Sequence, residues 1–435
     1  MKTADKYKWQ VGTAPPPLDP HSEIKHDLLR EYVRRYIETL LANPRAERLT
    51  WTLVDGFAGG GAYTGAKGQI VKGSPLLLLD GCRETEAAIQ SVRTKPVSLD
   101  SHYRFVEKDP GAVAYLNAEL DAQGYRASVG DRLRVFQGTF EQHCDTIVSE
   151  IKARGRSERA LFVLDQYGYT DVPIPLIRSI FERLDKPEVI LTFGIDSLLT
   201  YLSDNPLFRA TMQRLGLDRY VDWPNLARMK EAGRFKELVQ RQLSHGLLEQ
   251  SGALFITLFF LRPLGSTPWD YWLVHLSRSY RAREVMMQVH WSLGNQFTHA
   301  MEPGLFQLGY APAADPLASG QYDLPLGAPY TFDEVLRDAA RKELALVLPR
   351  QVYGQTEPIR FVDLAARVAN QTAVTEDVLK EALSPGIECR ELVVLGPNGE
   401  RRTKGSSIKS QDLISPSPQR PLFLPLQPTG LADDD

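Results

Sequence analysis

The chain has 435 residues, 43% hydrophobic and 24% charged, with a formal net charge of −3. That balance belongs to a globular protein of two or three domains and excludes disordered and coiled-coil chains. It also excludes a general polycation, so a nucleic-acid contact has to be a local basic surface. The three cysteines, Cys82, Cys144 and Cys389, stand far apart. They offer no zinc or redox spacing and suit a reducing compartment. The first twenty residues lack the apolar core of a signal peptide, and no run reaches the ~18 apolar residues of a membrane helix. A cytoplasmic protein without metal or membrane is the expectation.

Residues 1–20 read as a flexible, proline-punctuated lead-in. From Ser22, a plausible N-cap, apolar residues recur at Ile24, Leu28, Leu29, Tyr32, Val33, Tyr36, Ile37, Leu40 and Leu41. This spacing predicts an amphipathic helix that ends at Asn43-Pro44. Short apolar runs then alternate with helical patterns: 50–57, 103–109, 132–138, 160–168 and 188–194 are strand-like. Strands apolar on both faces, separated by helices, predict a buried parallel sheet covered on each side. Residues 203–250 interrupt the rhythm as a helical insertion that would cap one sheet edge. Two further strands, 252–263 and 269–279, are joined by only about five residues, which forces an antiparallel hairpin. An α/β Rossmann-like sheet, parallel except for one hairpin strand, is the class I methyltransferase arrangement rather than the nicotinamide-binding one. The predicted domain spans 21–310. A Pro/Gly/Ala-rich linker follows at 311–330, and residues 331–411 read as helix, helix, helix and hairpin, a winged-helix domain. Residues 412–435, with their prolines and terminal Asp-Asp-Asp, are expected to be a disordered tail.

Seven glycines fall between Gly56 and Gly73, in and after "DGFAGGG". A strand that ends in an acid, followed by glycine-rich backbone and a helix, is the nucleotide-cofactor geometry of doubly wound sheets. The pattern is Asp-x-Phe-x-Gly-x-Gly, and Thr64 stands where a dinucleotide motif needs its third glycine. This favours S-adenosylmethionine over NAD; a plain surface loop is the alternative. Candidate cofactor contacts are Asp55, Gly56, Phe57, Ala58, Gly59, Gly61 and Ser74. Glu107, closing the second strand, would accept hydrogen bonds from both ribose hydroxyls. Thr139 and Phe140, after the third strand, would hold the adenine. The fourth strand ends in "LDQYGY", where amino-methyltransferases carry Asp/Asn-Pro-Pro-Tyr/Phe. Asp165 would orient a target amine and Tyr167 would stack on its base, while Gln166 replaces the first proline. Asp165 could instead cap the next helix or serve the cofactor alone.

The segments "SEIKHDLLREYV", "VDGFAGGGAYTG", "GSPLLLL", "FVEKDP" and "LFVLDQYG" together resemble the three-Cys-motif partner proteins over residues 21–310. The C-terminal winged helix is similar to one found in such proteins. The resemblance implies a methyltransferase-like chain that works beside a radical-SAM-like protein with three cysteines. Lys25-His26 and Gly73-Ser74-Pro75 are also similar to a bacterial ribosomal-RNA adenine-N6 methyltransferase family. That similarity implies that Lys25 and His26 lie near the cofactor; read by themselves they sit on a solvated helix face.

Two functions follow. One is an S-adenosylmethionine-dependent methyltransferase acting on DNA or RNA, with a base amine favoured. The other is a nucleic-acid-binding adaptor that holds the cofactor without catalysis. Arg401, Arg402 and Lys404, at the wing-like tip, are the candidate phosphate contacts. A metal-dependent nuclease using Asp55, Glu107 and Asp165 ranks third, since no clustered acidic pair supports it.

Overall fold

The computed structural model describes residues 7–155, 158–231, 235–261, 271–294, 305 and 332–418. The expected linker, residues 311–330, lies outside them, as do residues 1–6 and 419–435. The chain divides into two compact units, the first built mainly from residues up to 302 and the second from 337–368 and 374–435.

The first unit opens with α1 (Pro20–Leu40), β1 (Arg48–Asp55), and a small hairpin of β2 (Ala62–Thr64) and β3 (Ile70–Lys72). α2 (Ser74–Val92), β4 (Ser98–Glu107), α3 (Pro110–Ala122), α4 (Tyr125–Val129), β5 (Leu133–Gln137) and α5 (Phe140–Lys152) follow. Next come β6 (Arg159–Leu164), α6 (Ile174–Arg183), β7 (Lys186–Phe193) and α7 (Ile195–Tyr201). α8 (Pro206–Leu215), α9 (Leu226–Glu231) and α10 (Phe235–Ser251) precede β8 (Phe255–Leu261), β9 (Tyr271–Ser277) and α11 (Tyr280–Leu293).

Seven strands form one sheet in the order β5-β4-β1-β6-β7-β9-β8. Strands β5, β4, β1, β6 and β7 run parallel, and β9 alone runs against its neighbours β7 and β8. This is a Rossmann-like α/β sheet, parallel except for the one reversed strand, as the sequence predicts. Trp51, Leu53 and Val54 on the inner strand β1 are fully buried, as a sheet covered on both faces requires. α1 lays its apolar stripe against α2 and α11, with Leu28, Tyr32, Val33 and Ile37 inaccessible to solvent. The helix starts at Pro20, so Ser22 lies inside its first turn and is not the N-cap. Proline's fixed φ favours that first helical position. α10 does not merely cap an edge; it packs against α6 and α7 as well as the edge strand β8.

The lead-in also differs from expectation. Thr64 donates its backbone N–H to Pro16 and accepts from Leu18, both at 2.9 Å, and its hydroxyl donates to Pro15 at 2.7 Å. Residues 7–19 are therefore ordered: a proline-rich strand edge has found hydrogen-bond partners on β2.

The second unit contains α12 (Glu334–Tyr353), β10 (Ile359–Arg360), α13 (Phe361–Val368), α14 (Glu376–Glu388), β11 (Leu392–Leu395) and β12 (Leu413–Pro416). Its sheet is antiparallel, in the order β10-β12-β11. The principal return strand is thus β12, inside the segment expected to be tail, which moves the boundary of order past residue 411. The reason is Asp412, fully buried, whose carboxylate takes Arg402 Nε at 2.7 Å and the Lys409 N–H at 2.9 Å. Among the described residues, no helix is long and apolar enough to cross a membrane.

The Arg402 hydrogen bond, ahead of the opposing effect of burial, holds the Asp412 carboxyl below its ordinary range. A depressed carboxyl contributes stability above the unfolded value near ~3.9 and loses it as pH falls through the folded value. Asp412→Asn is expected to speed hydrogen exchange across residues 392–416 of the full chain at pH 7. The difference from wild type should shrink as the pH is brought below about 4.

Candidate functional site

Three parallel strands deliver an acid to the same end of the sheet: Asp55 closes β1, Glu107 closes β4 and Asp165 follows β6. β4 and β6 lie on opposite sides of β1, so the three acids gather where the strand order reverses, the usual ligand position in open α/β sheets.

Asp55 is fully buried, and its Oδ1 accepts the Phe57 N–H at 3.0 Å. Its Oδ2 is buried without a partner of good hydrogen-bond geometry. Burial pushes this carboxyl up to about 7, opposed by the Ser74 hydroxyl and the Phe57 N–H and reinforced by the charges of Asp165 and Glu107. A fully buried acid whose Oδ2 lacks a well-formed hydrogen bond is what a cationic ligand group would satisfy. Glu107 bonds the glycine loop: its Oε2 accepts Gly59 N–H at 2.9 Å and its Oε1 accepts Asp109 N–H at 2.8 Å. Gly59 and Gly61 have φ of +57° and +79°, which explains why the loop needs glycine at these two places.

Gly56 and Phe140 face elsewhere. A side chain at Gly56 would meet Leu164 and Phe140, and the Phe140 ring, 1% exposed, belongs to the core. Thr139 caps α5 through a reciprocal pair with Gln142, at 3.3 and 2.9 Å. The Phe140 ring, and a Cβ at Gly56 if there were one, point into the space between the sheet and α5. Phe57 is half-buried and Ala58 buried, and both hold the loop to its neighbours: the Ala58 N–H extends the sheet pairing to Val106.

Lys25 is not solvated. Its ammonium lies 2.6 Å from both Asp165 oxygens, with side-chain exposures of 18% for Lys25 and 34% for Asp165. Burial opposes ionisation of Asp165, but the Lys25 charge and hydrogen bonds and the Thr192 hydroxyl outweigh it and hold the carboxyl below its ordinary range. Asp165 is therefore ionised at neutral pH and caps no helix. His26 is pushed down to about 4 by burial and then by the Lys25 charge, so its ring is neutral, and its Nδ1 is buried without a partner.

Gln166 has a local reason to replace proline. Its Oε1 accepts the N–H groups of Asp171 and Val172, both at 3.0 Å, which closes the loop ahead of α6. Gly168, at φ +95°, gives its carbonyl to Gly194 N–H at 2.7 Å. Tyr167 is 57% exposed, a large aromatic two residues beyond the half-buried Asp165.

Tyr63 was missed in the sequence. It projects from β2 with its hydroxyl 3.2 Å from where a Cβ on Gly59 would stand. Burial raises its hydroxyl pKa, followed by the charge of Asp165. An aromatic inside a glycine run was the available signal. The nucleic-acid candidates separate: Arg401 and Lys404 are exposed, whereas Arg402 is committed to Asp412.

No family model matches the chain. No curated protein matches it either. Among solved structures, it is similar to a Legionella pneumophila protein of family DUF519, at 10% identity and TM-score 0.30, covering 62% of this chain and 91% of that one. It is similar to an rRNA methylase from Streptococcus thermophilus, at 13% identity and TM-score 0.25, covering 60% and 97%. It is also similar to TYW2 of M. jannaschii, solved in complex with AdoMet, at 9% identity and TM-score 0.25, covering 60% and 76%. At such scores, function has to be argued from the chain's own site.

The raised Asp55 carboxyl has a pH signature. Its folded value of about 7 exceeds the unfolded ~3.9, so stability is complete at low pH and is lost as pH rises from about 4 to 7. Asp55→Asn removes that loss. The free variant is expected to melt at the same temperature as wild type near pH 4 and above it at pH 8, in paired thermal scans. A wild type that gains on the variant with rising pH would contradict the assignment.

Proposed function

We propose that this chain is an S-adenosylmethionine-dependent methyltransferase whose target is a base amine in nucleic acid. The observation that carries the reading is the convergence of Asp55, Glu107 and Asp165 around a glycine loop at the switch point of a methyltransferase-type sheet. Asp55 Oδ2 suits the cofactor's ammonium, Glu107 its ribose, and the Gly59–Gly61 backbone its amino-acid portion. The cofactor would supply an electrophilic methyl group on sulfonium sulfur. Asp165, ionised and fixed by Lys25, would accept an amine N–H and turn the nitrogen lone pair toward that methyl. Tyr167, exposed at the mouth, would stack on the base.

The second unit supports the nucleic-acid part of the proposal. Its order of helix, strand, two helices and two strands around a three-stranded sheet would suit a winged helix, with the 396–404 turn as its wing. Arg401 and Lys404 remain as phosphate contacts. The family resemblance adds a proposed protein partner, a three-cysteine radical-SAM-like chain.

A second reading has its own observation. Both Asp165 oxygens are already engaged by Lys25, which suits a cofactor-binding adaptor without catalysis.

Binding of S-adenosylhomocysteine in the micromolar class, about −8 kcal/mol, is expected by calorimetry. Gly59→Val is expected to abolish it, because that φ and the Trp9 and Tyr63 contacts leave no room for a branched side chain. In a tritiated-methyl assay on nucleic acid from the host cell, Asp165→Ala is expected to be inactive with cofactor affinity preserved. Tyr167→Ala should raise KM more than it lowers kcat. Full activity of the Asp165 variant would exclude that residue from the chemistry. Inactive wild type that still binds cofactor would establish the adaptor reading.

Arg401→Ala with Lys404→Ala is expected to flatten the salt dependence of duplex binding by about two in log–log slope. An unchanged slope would remove the wing from the interface.

A further inference from the structure

The cofactor pattern asks for Gly59 and Gly61, but the residue between them is also glycine. Gly60 has an ordinary negative-φ backbone, so its lack of a side chain needs another cause. A Cβ there would overlap the indole of Trp9. Trp9 is 9% exposed and its indole N–H donates to the Ala62 carbonyl at 2.9 Å. It also comes within 3.1 Å of where a Cβ on Gly59 would stand, and its carbonyl within 2.9 Å of the equivalent point on Gly111. Its other neighbours are Ala112 and Tyr115 at the start of α3, just beyond Glu107. One indole therefore wedges between the loop that follows β1 and the helix that follows β4.

The ring also organises the aromatic side of the site. Tyr7 stacks on Trp9 at 5.8 Å between centroids, and Tyr63 meets Trp9 edge-on at 5.5 Å. Tyr63 in turn stands 6.2 Å from the His26 ring. Beyond Trp9 the same segment pairs with Thr64 and runs into α1, which carries Lys25 to Asp165. A single stretch of chain thus touches both the cofactor loop and the acid on the acceptor side.

We propose that Trp9 is a positioning residue of the cofactor site, and that residues 7–19 clamp the glycine loop in its binding conformation. This rests on the S-adenosylmethionine reading above. Gly60 and Trp9 are then a coupled pair: a methyl group at 60 is harmful only while the indole is there to collide with it. Residues in contact show this kind of non-additivity.

The test is a double-mutant cycle on the full chain, with calorimetric S-adenosylhomocysteine affinity and the melting temperature of each variant. Trp9→Ala and Gly60→Ala are each expected to weaken binding about tenfold, within the coupling range for contacting residues. Gly60→Ala in the Trp9→Ala background is expected to change affinity less than about twofold. Trp9→Phe should recover most of the loss, since a ring still fills the wedge. If Trp9→Ala does not fold, Gly60→Ala measured in wild type and in Trp9→Phe decides, the smaller ring giving the smaller loss. Wild type that binds, with Trp9→Ala equal to it or with Gly60→Ala equally harmful in both backgrounds, would overturn the clamp alone. Folded wild type that gives no heat would overturn the cofactor reading and the clamp with it.

Discussion

The ion pair between Lys25 and Asp165 is the constraint on which the site depends. Three carboxylates at the ends of β1, β4 and β6 cannot be held close together at one end of the sheet unless something offsets their mutual repulsion and desolvation. Here the offset is uneven. Asp165 receives an ammonium from α1 and stays ionised, Glu107 receives backbone N–H groups, and Asp55 receives too little and is pushed toward neutrality. In the proposed reading, the acid left short of partners would take the cofactor's ammonium. The acid with a full partner is the one that would meet an uncharged nucleophile.

That division depends on how α1 is seated. The helix buries Leu28, Tyr32, Val33 and Ile37, and its Tyr32 hydroxyl donates to the buried Glu188 of β7 while contacting His275 of β9. Removing polar groups from water is tolerated only when they satisfy one another, so this trio gives the helix one favourable position rather than a sliding apolar fit. Lys25 lies about two turns from Tyr32 on the same helix. Its reach to Asp165 is set by that anchor and by the strand ends together.

The second unit shows the same chemistry put to a different use. Arg401 and Arg402 are adjacent and identical in type, yet one faces solvent and the other is spent on Asp412. A buried carboxylate needs a fixed cation, and planar guanidinium supplies it with two bonds. Charge counted along the chain overstates what a surface can present to phosphate, because part of it is consumed in holding the fold.

Periodicity alone settled the alternation of strands and helices, the reversed strand and the glycine loop, because each is a local demand. Apolar runs must be covered, adjacent strands joined by a short link must turn back, and a positive φ asks for glycine. The strand-end acids were legible for the same reason, since the sheet ordains where a strand terminus lies. Lys25 was open to two readings because its partner is 140 residues away. The order of the lead-in depended on Trp9 finding Ala62, and that of residues 412–418 on Asp412 finding Arg402. Phe140 could be placed after its strand but not turned toward the core. In each case the deciding energy is a contact between distant segments, and such contacts exist only once the chain has closed on itself.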